Sequence, residues 1–124
     1  MYIPLSAWLP AFVATIAIEA PIIGFAFRRV TDSLVAAVVV FLFANLATHL
    51  AIWYVATQFL RPGSPEFFVV AEVWAIAGEA LLFWAAIPRL SARRAAIAAV
   101  AANGISSALG LAAASISGRF APWS

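Results

Sequence analysis

Residues 66–87 read EFFVVAEVWAIAGEALLFWAAI, an apolar run between Arg61-Pro62-Gly63-Ser64-Pro65 and Pro88-Arg89. At about 1.5 Å per residue, a helix over this stretch spans the roughly 30 Å of a hydrocarbon core. Two glutamates, Glu72 and Glu79, sit inside it. A carboxylate in hydrocarbon costs several kcal/mol or more, and chains that keep one usually face it onto a partner or a pathway. These two facts set the reading of the whole chain: a membrane-spanning helix that carries acid inward.

Three further stretches repeat the pattern. They run over about 5–27, 33–60 and 94–117. Their stops are Arg28, Arg29 and Asp32 after the first, Arg61-Pro62-Gly63 after the second, and Gly118-Arg119 after the fourth. Backbone groups in lipid must be satisfied within the segment, so each is read as a helix. The expected fold is all-α: one transmembrane domain over 1–124, with four helices in an antiparallel bundle joined by short connections.

Composition agrees. The chain has 124 residues, 66% hydrophobic and 10% charged, with mean hydropathy +1.06. A soluble domain carries about 25% charged residues. No cysteine is present, which excludes disulfides and thiolate metal sites. The basic residues are all arginine and never exceed two in a row, so no nucleic-acid surface is expected. The N-terminal run lacks a basic n-region and continues past Glu19, so it is read as a retained helix rather than a signal peptide.

Arginines set the orientation. Arg28, Arg29, Arg89, Arg93 and Arg94 fall in the first and third connections; Arg61 and Arg119 fall on the other side. The bias places the first and third connections in the cytoplasm and both termini outside, in a bacterial inner membrane. Tyr2, Trp8, Trp53, Tyr54 and Trp123 then collect on the outer side as an expected interfacial belt.

That topology lets depth be counted from the helix ends. Glu19, Asn45, His49, Glu79 and Asn103 all fall about 16–22 Å below the outer surface at 1.5 Å per residue. Every helix contributes a polar side chain to one layer. Asn45 and His49 share a face at i,i+4, as do Asn103 and Ser107; Thr48 and Ser106 flank them. Glu72 shares a face with Glu79 and lies about 10 Å nearer the outside. No arginine reaches that depth, so at least one carboxylate is expected to hold a proton or share a cation. Pro21 leaves the Ala17 carbonyl without its helical donor, beside Glu19. Transporters use such freed carbonyls to bind ions. On the fourth helix, Ala98, Ala102, Ser106, Gly110, Ala114 and Gly118 recur every four residues. This ladder of small residues reads as a packing seam within the bundle, with a dimer interface as the alternative.

The functional expectation is cation or proton binding in this layer, for transport or proton relay. Glu19 and Glu79 are the titrating ligands, His49 the proton partner, Asn45 and Asn103 neutral ligands, and Glu72 the outer access point. Thr48, Ser106 and Ser107 support the layer. The bound group is a cation or proton of unspecified identity. A bundle this small encloses little space, so a homo-oligomer or a place in a larger membrane complex is expected. The competing reading is an accessory or assembly subunit whose polar core only fixes helix register. A third is a membrane enzyme with a metal on Glu19, Glu79 and His49. No HExxH, GxSxG, phosphate-loop or haem-attachment motif supports catalysis.

The chain resembles a set of small bacterial four-helix membrane proteins to which no activity is attached. The resemblance rests on Glu19-Ala-Pro21, Asn45-Leu-Ala-Thr48-His49, Glu72 with Glu79, and Asn103-Gly-Ile-Ser106 followed by Gly110. Ala17-Ile18-Glu19 is also faintly similar to the first helix of small multidrug resistance transporters. Glu72 and Glu79 depart from that pattern.

Overall fold

The computed structural model describes residues 4–116. It holds four α-helices: α1 (Leu5–Phe27), α2 (Leu34–Tyr54), α3 (Pro65–Ala86) and α4 (Ala92–Ile116). Each is long and apolar enough to cross a membrane. Tyr2, Ser117, Gly118, Arg119 and Trp123 lie outside the described residues.

The helix starts follow from local chemistry. Ser33 Oγ accepts from the Ala36 N–H, and Ser64 Oγ accepts from the Phe67 N–H with Pro65 at the first helical position. Ser91 Oγ accepts from the Arg94 N–H, so α4 begins at Ala92, two residues before the expected start. Helix α1 runs unbroken through Pro10 and Pro21.

The second helix departs from expectation. It ends at Tyr54 rather than near 60, and a 3₁₀ turn follows over Ala56–Gln58. Thr57 Oγ1 donates to the Trp53 carbonyl at 2.8 Å and occupies an acceptor at the helix end. Gly63, at φ 83°, then turns the chain toward α3 in a conformation glycine adopts without strain.

The helices form a ring: α1 packs on α2, α2 on α3, α3 on α4 and α4 on α1, and among the described residues the diagonal α1 and α3 meet through long side chains rather than by close backbone approach. One core cluster joins the end of α1, the start of α2, the end of α3 and the start of α4. Phe27 and Phe83 meet there edge to face at 5.1 Å, against Ile23, Phe41 and Ile87. Ala95, Ala98, Ala99 and Ala102 are buried in the same cluster, which puts the lower half of the small-residue ladder inside the bundle. The connections at this end are tied together by Arg89 and Asp32, 2.6 Å apart.

A second cluster sits at the other end, where α1 begins and α2 finishes. Trp8 stacks on Phe12 at 4.9 Å, and Trp53 packs with them. Trp8 and Trp53 are only 6% and 5% exposed. The expected belt is therefore not formed by this pair: facing across α1 and α2, each indole buries its area against the other helix instead of the surface.

Candidate functional site: a buried carboxylate network

Between the two clusters lies a polar waist. Glu19 and Glu79 are 0% and 1% exposed, and Asn45 and Asn103 are 0% and 5% exposed. Helix geometry puts them there. Glu79 lies one turn from Ala75 and Phe83, which are both buried, so the inward stripe of α3 carries the acid into the core.

Helix α4 organises the network from one turn. Asn103 Nδ2 donates to Glu79 Oε2 at 2.7 Å and lies 3.0 Å from the Ala99 carbonyl. Ser106 Oγ donates to Glu19 Oε1 at 2.8 Å, and Ser107 Oγ donates to Glu72 Oε1. Three polar side chains within five residues thus serve three carboxylates from two different helices. The expected i,i+4 pairing of Asn103 with Ser107 holds as a shared face, but each side chain takes a different glutamate.

On α2, Thr48 Oγ1 lies 3.0 Å from the Ala44 carbonyl and 3.4 Å from Glu79 Oε1. With the Asn45 carbonyl at 3.2 Å as a third acceptor, its one proton cannot satisfy all of them at once. Asn45 Nδ2 donates to the Phe41 carbonyl at 3.3 Å, and the Asn45 side chain neighbours the Glu19 carboxyl. Glu19, Glu72 and Glu79 lie close enough to feel one another's charge. Among the described residues no ion pair involves any of them.

His49 stands apart. Its ring meets Phe12 edge-on at 5.3 Å, and its Nδ1 is buried without a hydrogen-bond partner. Glu19 Oε2 and Asn45 Oδ1 are likewise buried and unpartnered. Among the described residues no three His, Asp or Glu side chains come together as a metal would need. The expected metal set of Glu19, Glu79 and His49 is therefore not assembled. The reason is angular: one turn beyond Asn45, His49 faces the α1 aromatic ring, whereas Glu79 approaches α2 at Thr48.

Sequence reasoning missed Gly78. A Cβ there would sit 2.9 Å from Thr48 Cγ2, so the glycine lets α3 approach α2 closely enough for Thr48 to reach Glu79. Its place directly before Glu79 was the available signal. Also missed was a cavity of about 1110 Å³ reaching from Glu19 and Asn103 toward Ala7 and Ala114. Its signal was the run of alanines on the inward faces of α1 and α3.

Comparison with known protein families, characterised proteins and solved structures returns no match.

Proposed function

We propose that the four helices cross a bacterial inner membrane as an antiparallel bundle, both termini outside, and that the carboxylate network binds a proton or cation in service of transport or proton relay. The observation that carries this reading is the pair Glu19 and Glu79: wholly buried, near one another, and held by amides and hydroxyls with no arginine. Two like charges in a dry interior repel strongly, and a shared proton or cation removes the repulsion.

Local hydrogen bonding supports a proton in particular. When the Thr48 proton turns to the nearer Ala44 carbonyl, a proton on Glu79 Oε1 can keep the 3.4 Å contact with Thr48 as a hydrogen bond donated from the acid. A proton on Glu19 likewise gives its unpartnered Oε2 a donor role beside Asn45, whose Oδ1 also lacks a donor. Glu72, half-buried and nearer the end where α3 starts, is placed to pass protons between the outer side and the deeper pair. His49 lines the cavity above the pair and remains the proton partner on that route.

The test is proton movement in liposomes with an internal pH dye and an imposed gradient. Wild-type protein is expected to dissipate the gradient, and Glu79→Gln to abolish the effect while remaining folded. Equal rates in wild type, Glu79→Gln and empty liposomes would leave a polar core that only fixes helix register, as in an accessory subunit.

A further inference from the structure

The cavity above the waist, about 1110 Å³, is larger than a proton path needs. Drug-sized ligand sites span roughly 300–1,000 Å³, and they are mostly apolar with a few polar groups gathered at one place. This cavity has that make-up: its outer walls are apolar and its polar side chains collect at the inner end. We propose that it binds the headgroup of a neutral quinol, a flat ring carrying two phenolic hydroxyls, between Glu72 and Asn103. The inference goes beyond the proton reading and does not depend on a titrating pair.

Hydrogen-bond accounting chooses the class. Asn103 Nδ2 lies against Glu79 Oε2 and the Ala99 carbonyl. A carbonyl can only accept, which fixes the amide and leaves Asn103 Oδ1 without a donor. Ser107 Oγ donates to Glu72 Oε1, so Glu72 Oε2 is without one too. Both residues line the cavity. Both oxygens keep accessible surface, whereas Glu19 Oε2 and Asn45 Oδ1 are sealed. The cavity therefore offers a ligand two open acceptors. Ser107, which holds Glu72, is one turn above Asn103 on the same face of α4, so the acceptors stand about 6 Å apart along the helix axis. That is close to the span between the two para oxygens of a dihydroxybenzene ring. A ligand with a single charge or a single hydroxyl would meet only one of them.

Two further groups complete the set. Thr15 Oγ1 on α1 and the His49 ring on α2 line the same space and make no hydrogen bond among the described residues. Each can donate to a phenolic oxygen. The walls suit a ring. Ala14 on α1 and Ala71 and Ala75 on α3 leave the space beside the acceptors open, and Trp53, Phe67 and Phe68 line it one turn further out as stacking partners. No Arg lines the cavity, so an anion finds no partner there. A quinone, with carbonyls in place of hydroxyls, would set acceptor against acceptor at Glu72 and Asn103.

The test is equilibrium dialysis of the detergent-purified full chain against trimethylhydroquinone kept reduced under argon, with protein-free micelles as the reference. Its dimethyl ether, the same ring without O–H donors, and its oxidised quinone are the controls. Saturable binding of the hydroquinone, none of the ether and weaker binding of the quinone are expected. Glu72→Leu removes one acceptor at similar volume and is expected to weaken binding by about tenfold, the scale of one hydrogen bond. Ala71→Leu fills the space beside the acceptors and is expected to abolish binding. Gly110→Leu does so from α4, where a Cβ meets nothing within 4 Å, should the first variant fail to fold. No saturable hydroquinone binding, equal binding of the ether or the quinone, or binding unchanged in Glu72→Leu or in a folded cavity-filling variant would overturn the proposal.

Discussion

Gly78→Ala adds a single methyl group at the crossing of α2 and α3, and its effect can be worked from the geometry. The new Cβ would lie 2.9 Å from Thr48 Cγ2. Carbon atoms rest at about 3.5–4.0 Å, so the two groups must separate by roughly 0.6–1.1 Å. Thr48 cannot swing away cheaply. It is 2% exposed, its χ1 is stiff, and its Oγ1 is held by the Ala44 carbonyl at 3.0 Å. Overpacking of this kind costs about 1–3 kcal/mol, and the helix preference for Ala over Gly returns at most about 1 kcal/mol. A net loss of up to about 2 kcal/mol is expected, read from unfolding equilibria in mixed micelles. The cause is isolated by Thr48→Ser, which removes Cγ2 and keeps the hydroxyl. In that background Gly78→Ala moves the methyl from one helix to the other, and its cost is expected to vanish, a coupling of at least about 1 kcal/mol. Additive effects in the double variant would refute the reasoning that Gly78 sets the α2–α3 approach.

Asn103→Ala removes the 2.7 Å donor to Glu79 Oε2 and is expected to destabilise the fold by about 1–3 kcal/mol, measured the same way; Asn103→Asp should be worse, since it sets a third acid against the pair. Arg89→Ala breaks the pair with Asp32, whose side chains are 56% and 91% exposed, and is expected to cost less than about 1 kcal/mol and to matter less still in high salt. A loss larger than that would mean the connection between α3 and α4 carries more of the fold than its exposure implies.

The four helices were legible because apolar runs long enough to cross a membrane alternate with Arg, Pro and Gly. The end of α2 was not, because 55–60 remains apolar apart from Thr57 and Gln58. The stop there is conformational: Thr57 bonds back to Trp53 and the chain tightens into a 3₁₀ turn. Counting along the helices placed Glu19, Glu79, Asn45 and Asn103 at one depth, and the structure brings them together in the waist. It could not assign partners. Depth is a one-dimensional quantity, whereas Ser106 choosing Glu19 and Asn103 choosing Glu79 depends on how α4 is rotated between α1 and α3. The same limit explains His49. Sharing a face with Asn45 placed it near the acids, but a further turn of α2 carried its ring onto Phe12. Trp8 and Trp53 were misjudged for the related reason that residues at helix ends face either lipid or a neighbouring helix, and spacing alone does not choose.

The central claim is that the Glu19–Glu79 pair holds an exchangeable proton or cation, and infrared difference spectroscopy of the reconstituted protein tests it most directly. Stepping pH or cation concentration is expected to change a protonated-carboxyl C=O band in wild type, with the change lost in Glu79→Gln and altered in Glu19→Gln. Spectra that show no carboxyl change across those steps, or the same change with and without Glu79, would contradict the account and leave the waist as packing.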